Sequence, residues 1–258
     1  MKTKVSIGIL VSFLVISVVA VALVAAKPDN PGQGEKPAKA GRPEKLKQII
    51  FVHPVAPDKP DHPGKGKKPK PPLPDPVNDY FELWGGYLAS TLDYCINPNV
   101  GLVAGEDAAE AVQAAAEAWD AVTTTTDLFN YAGTTEKSWY QEDGENTVSW
   151  VKFFPRDYIA MVVMWYDDDK VIWEFDIVFN AFHKWGIDPI KEDEDKIKAF
   201  DIQNIATHEF GHPVGLDDLY LTEYRELTMY GYSSKGETQK CSLEEGDIAG
   251  AQEPYGAP

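Results

Sequence analysis

The stretch HEFGHPVGLDD, residues 208–218, constrains the fold more than any other part of the chain. It continues the run AFDIQNIATHEFGH (199–212), whose pattern predicts a helix. Residues four apart on a helix share a face, so His208 and His212 can aim two imidazoles at one point. Gly215 falls where that helix must end and the chain must turn sharply, in a backbone conformation glycine tolerates best. Such a turn swings residue 218 back towards the two histidines.

Neutral imidazole is a good zinc ligand. Glu209, one residue round from His208, lies within reach of a water on the same metal and can take its proton as general base. A histidine pair and a glutamate also meet by chance on the polar face of an ordinary helix. The extension through Gly215 to Asp218 therefore carries the reading.

With Gly215 and Asp218 in place, the pattern resembles the metzincin motif H-E-x-x-H-x-x-G-x-x-H. An aspartate stands where the third histidine would be, as in snapalysin-type members. Thr228-Met229-Tyr230 is similar to the methionine turn. LEEGDIAGAQEPYG (243–256) resembles the last helix of the matrixin, or matrix metalloproteinase-type, catalytic domain. The resemblance spans roughly residues 85–256, with its specific motifs within 208–256. It implies an α+β fold, metzincin-like, with a twisted sheet of about five strands, an active-site helix, a backing helix at 106–122 and a C-terminal helix. VIWEFDIVFN (171–180) would be the edge strand to which a peptide adds. The implied metal is Zn2+, held by His208, His212 and Asp218, with Asp217 one residue out of register. Met229 would pack beneath it. The implied activity is a zinc-dependent endopeptidase acting on polypeptides. Two features depart from the family: Pro213 directly follows a ligand histidine, and the cysteine-switch motif is absent, which leaves no inherited means of latency.

The rest of the chain divides in three. Lys2 and Lys4 precede an uncharged run of 22 residues, Val5 to Ala26. It is long enough to cross a bilayer, for which about 20 residues are needed, and ends in small residues suited to cleavage. Residues 1–26 are thus a signal peptide or a membrane anchor, and either places the remainder outside the cytosol. Residues 27–76 are rich in Pro, Gly and Lys and read as a disordered linker. The apolar patch QIIFVHPV (48–55) interrupts it, with His53 and His62 expected to be solvated. Residues 77–258 form the folded domain.

Charge follows the same division. Residues 27–76 carry 11 Lys/Arg and 6 Asp/Glu, whereas 77–258 carry 11 and 35, for nets of +5 and −24. So acidic a domain excludes nucleic acid as the partner and leaves room for a structural Ca2+. EDAAEAVQAAAEAWDAV (106–122) is an amphipathic helix. TVSWVKFF (147–154), YIAMVVMWY (158–166) and VIWEFDIVFN read as strands, with Asp167, Asp168 and Asp169 as a turn. KEDEDK (191–196) reads as an exposed loop. Ser242 and Glu245 form a candidate capping box for a last helix that Pro254 stops. Cys95 and Cys241, an even count in an exported chain, are read as one disulfide, the alternative being two buried thiols. In matrixin-like folds the start of the domain returns to the last helix, which favours the bridge.

Four functional readings compete. The first is a secreted or surface-tethered monomeric endopeptidase. The second is a non-catalytic zinc-stapled cell-surface binding module, which would need Glu209 gone or blocked. The third is another HExxH peptidase with Glu237 or Glu244 as ligand, against which the Gly215–Asp218 spacing and Met229 argue. The fourth is an adhesion module, suggested by the linker alone.

Overall fold

A computed structural model of the chain describes residues 41–57, 80–99, 105–123, 127–188 and 199–258. They belong to one compact unit, residues 38–258. The candidate signal or anchor at 1–26, His62 and KEDEDK lie outside the described residues. Among the described residues, no helix is long and apolar enough to cross a membrane.

The elements in order are β1 (Lys47–Pro54), β2 (Leu92–Ile96), α1 (Gly105–Asp120), β3 (Phe129–Thr134), β4 (Asn146–Val151), β5 (Tyr158–Tyr166), β6 (Ile172–Asn180), β7 (Trp185–Gly186), β8 (Phe200–Asp201), α2 (Ile202–Val214) and α3 (Glu245–Tyr255). Six strands make one sheet in the order β1-β5-β6-β4-β2-β3, and β7 and β8 form a small pair. The β3-β2-β4-β6 part is parallel. β5 turns back on β6 as a hairpin, and β1 pairs antiparallel with β5. The hairpin turn uses the acidic run as expected: the Asp167 carboxylate accepts from Asp169 N, Val171 N and Trp173 Nε1.

α1 and α2 cover one face of the sheet. The alanine-rich face of α1 lets α2 approach closely. Trp119 reaches across and donates its Nε1–H to the Thr207 carbonyl at 2.8 Å. From α2, Phe210 packs edge-on among Tyr94, Phe129 and Phe175. A smaller apolar cluster on the other face joins Phe153, Met161, Val163, Trp165 and Val178.

Four expectations need correction. First, residues 47–54 are no linker: Ile49, Phe51 and Val55 pack against the main core and Val52 against the smaller cluster, the alternation of a two-sided strand. His53 is fully buried. Second, β6 is not the edge. It lies between β5 and β4 and is almost wholly buried, as its near-continuous apolar run permits. Third, no disulfide joins Cys95 and Cys241. Cys95 sits mid-sheet, opposite Thr147 on β4. Cys241 lies by the start of α2, where its thiol donates to Asp201 Oδ1 at 3.4 Å. Burial pushes that thiol's pKa up. Fourth, the capping box of α3 is made by Glu244 and Asp247, and the helix passes Pro254 to end at Gly256.

Candidate metal centre

α2 carries the histidines and is buried along nearly its whole length. Asp201 caps its start, accepting from Asn204 N at 2.7 Å. Pro213 stays within the last turn, so the break it threatened does not occur. The turn after it is the one the spacing asked for: Gly215 has φ 119°, and its N–H donates to the Gly211 and His212 carbonyls. A Cβ there would come within 2.6 Å of the Gly86 carbonyl oxygen. The chain thereby returns, and Asp218 arrives beside both histidines.

Each histidine is held by its Nδ1. That of His208 lies 2.8 Å from the Thr228 carbonyl, and that of His212 lies 3.0 Å from the Leu216 carbonyl. A carbonyl only accepts, so each Nδ1 carries the proton and each Nε2 presents a lone pair. Asp218 Oδ1 lies 3.1 Å from His208 Nε2 and 3.9 Å from His212 Nε2. The shorter approach lacks hydrogen-bond alignment: His208 Nε2 and Asp218 Oδ1 are both buried without a hydrogen-bond partner, as is Glu209 Oε2. Buried polar atoms are rarely left so. One donor atom each from His208, His212 and Asp218 lies within 4.8 Å of the others, a group that could hold a metal ion. Two neutral nitrogens and one carboxylate oxygen suit zinc.

The electrostatics fit a cation. Burial pushes the pKa of both histidines down, towards the neutral form that can ligate, His212 to about 4. Burial alone would raise Asp218, but the His208 contact, both histidine charges and the Tyr220 hydroxyl bring it to about 2. Tyr220 OH donates to Asp218 Oδ2 at 3.0 Å. Asp217 faces elsewhere, its Oδ1 accepting from Asp218 N at 2.8 Å. Burial, reinforced by the Asp218 charge, pushes the Glu209 carboxyl well above its usual range.

The turn Thr228-Met229-Tyr230 lies under this group. Met229 is fully buried, and a Cβ on Gly211 would meet its Sδ at 2.3 Å. Asp247 of α3 fixes the turn by accepting from Thr228 N at 2.9 Å and Met229 N at 3.1 Å. Glu244 is the N-cap of α3 rather than part of the metal group. The matrixin family model, Peptidase_M10, matches residues 86–256.

The chain belongs to the matrixin family. Matrixins are zinc metallopeptidases, and the mixed sheet with the three α-helices among the described residues agrees with a matrixin catalytic domain. A search of the curated proteins returned no match.

Three functional neighbours were not legible in the sequence of this matrixin. Trp84 donates its Nε1–H to the His212 carbonyl at 2.8 Å. Lys240 is fully buried, its ammonium held by the Tyr230 and Tyr232 carbonyls and its pKa pushed down by burial to about 8. His53 places Nδ1 3.1 Å from Glu209 Oε1 and Nε2 3.1 Å from Ser233 Oγ. Asp247 alone had a signal, the LEEGDIAG stretch.

Proposed function

We propose that this matrixin is a zinc-dependent endopeptidase in which His208, His212 and Asp218 hold the metal and Glu209 is the general base. The observation that carries the reading is the convergence of three donor atoms within 4.8 Å, two of them fixed in the ligating tautomer by backbone carbonyls. His208, His212 and Asp218 would hold a zinc ion, which when bound would acidify a water and polarise the substrate carbonyl. Glu209 would take that water's proton and return it to the leaving amine. Its Oε2, buried with no protein partner, is the oxygen free to do so. Met229 and Asp247 are positioning residues that keep the floor of the site fixed.

The substrate class is polypeptide, and the enzyme acts as a monomer outside the cytosol, exported or tethered by residues 5–26. Glu209→Ala tests the reading against a zinc-stapled binding module. The variant should retain zinc through dialysis and lose peptide hydrolysis by about 10²–10⁴-fold, the usual contribution of general acid–base catalysis. Unchanged turnover would remove Glu209 from the chemistry.

A further inference from the structure

We infer that strand β1 is an internal occupant of the substrate cleft and keeps the full-length chain latent, with His53 as its anchor on the general base. The inference rests on the endopeptidase reading for the identity of the cleft.

The backbone argument comes first. An unpaired strand edge is a template for another chain. β5 offers such an edge to the catalytic domain, and β1 consumes it from Lys47 opposite Tyr166 to Pro54 opposite Tyr158. Past His53 the segment continues between two walls. Val55 N donates to the Asp157 carbonyl at 2.7 Å, and Ala56 N donates to the Ser233 carbonyl at 2.8 Å. Val55 and Ser233 form a parallel bridge. Residues 47–54 are thus paired along β5, and residues 54–56 are also held on the other side by Ser233, as the end of an extended peptide in a cleft would be. A second peptide cannot use the same N–H and C=O groups.

The side chains then place this strand on the metal site. Alternate residues of a strand share a face, and Phe51 and His53 both point at α2. The Phe51 ring stacks on the His212 ring, with centroids 4.2 Å apart and planes 13° from parallel. The His53 ring lies against the His208 ring at 3.9 Å. His53 is fully enclosed: Nδ1 meets Glu209 Oε1, and Nε2 meets Ser233 Oγ and, at 3.4 Å, Lys240 Nζ. The base is therefore engaged, and both candidate ligand histidines are roofed. No cysteine takes part: the chain's two are Cys95 and Cys241.

Tethering makes such an occupant strong, since its effective concentration is about millimolar even when its intrinsic affinity is modest. An incoming peptide then binds only the fraction of molecules whose cleft is open, and its apparent affinity falls by that fraction. Latency of this kind raises KM and leaves kcat nearly unchanged once the strand is displaced.

The test compares the full-length zinc-loaded chain with its His53→Ala and Phe51→Ala variants, all shown to be folded by circular dichroism. Three quantities are read: KM and kcat on a peptide pool, hydrogen exchange of the β5 amides (158–166), and inhibition of each variant by the synthetic octapeptide KQIIFVHP. Both variants should lower KM about tenfold or more with kcat little changed. They should exchange β5 amides faster than wild type, and the octapeptide should restore protection and inhibit competitively. Mass measurement should find residues 47–54 intact in the wild-type chain after zinc loading. Equal KM, equal exchange and no octapeptide binding would overturn the inference while leaving the endopeptidase reading in place. Cleavage of the wild-type chain within 47–54 would also overturn it, by making the strand a substrate. Absence of hydrolysis in every form would sink the endopeptidase reading, and exchange with octapeptide binding would still decide whether the strand fills the cleft.

Discussion

A histidine pair binds a cation only if each ring presents a lone pair to it, and here two carbonyls decide which nitrogen does so. Thr228 and Leu216 fix Nδ1–H on His208 and His212, and their Nε2 atoms face Asp218. Asp218 and Asp217 differ by one residue and should differ sharply in consequence. Asp218→Ala should lower zinc affinity about 10–100-fold or more, a loss expected when a ligating or supporting group goes. Asp217→Ala, whose carboxylate only accepts from Asp218 N, should leave zinc content after dialysis largely intact. The reverse result would mean that the register after Gly215 is misassigned. The spacing of His208, His212, Gly215 and Asp218 was legible because a helix and one glycine turn fix it locally. His53 was not legible. Its partners Glu209 and Ser233 lie 156 and 180 residues away, and nothing in QIIFVHPV marks them.

At the scale of elements, long periodic segments were legible and pairings were not. The apolar runs of β5 and β6 and the alanine-rich face of α1 announce themselves. Which strand lies at the edge depends on partners brought from elsewhere, so the local pattern of neither β6 nor β1 reveals its place in the sheet. The contact of α3 with the methionine turn rests on one carboxylate. Asp247 accepts from Thr228 N, Met229 N and Glu244 N. Asp247→Ala leaves three backbone donors without that acceptor, at about 1–3 kcal/mol for each buried one. Urea unfolding should show a loss of at least about 3 kcal/mol; a loss under 1 kcal/mol would contradict this role. Asp120, at the end of α1, accepts from Leu128 N at 2.6 Å. Burial raises its pKa from 3.8 to about 6 against that hydrogen bond. Between those values the folded state holds more protons than the unfolded one, so this group's contribution to stability is lost as pH rises from about 4 to about 6. Asp120→Asn should flatten the stability slope across that window in urea titrations at several pH values.

For the whole molecule, α2 presents the candidate metal group to the sheet's outermost strand, and β1 covers it with Phe51 and His53 against His212 and His208. The α+β matrixin architecture was legible from the motifs after residue 208, whereas the strand that fills the cleft comes from a segment whose Pro, Gly and Lys content argued against any fold. Local composition reports whether a segment can build a core. It does not report whether an existing edge will accept the segment. The central claim is that a metal held by His208, His212 and Asp218 drives peptide hydrolysis. Its most direct test is a zinc titration of the full-length His53→Ala chain after chelator stripping, with the hydrolysis rate followed at each addition. The rate should start near zero and rise linearly to a plateau at one equivalent of zinc, and Glu209→Ala in the same background should bind that equivalent and stay inactive. Hydrolysis that persists in the stripped chain, or that ignores added zinc, would contradict the account.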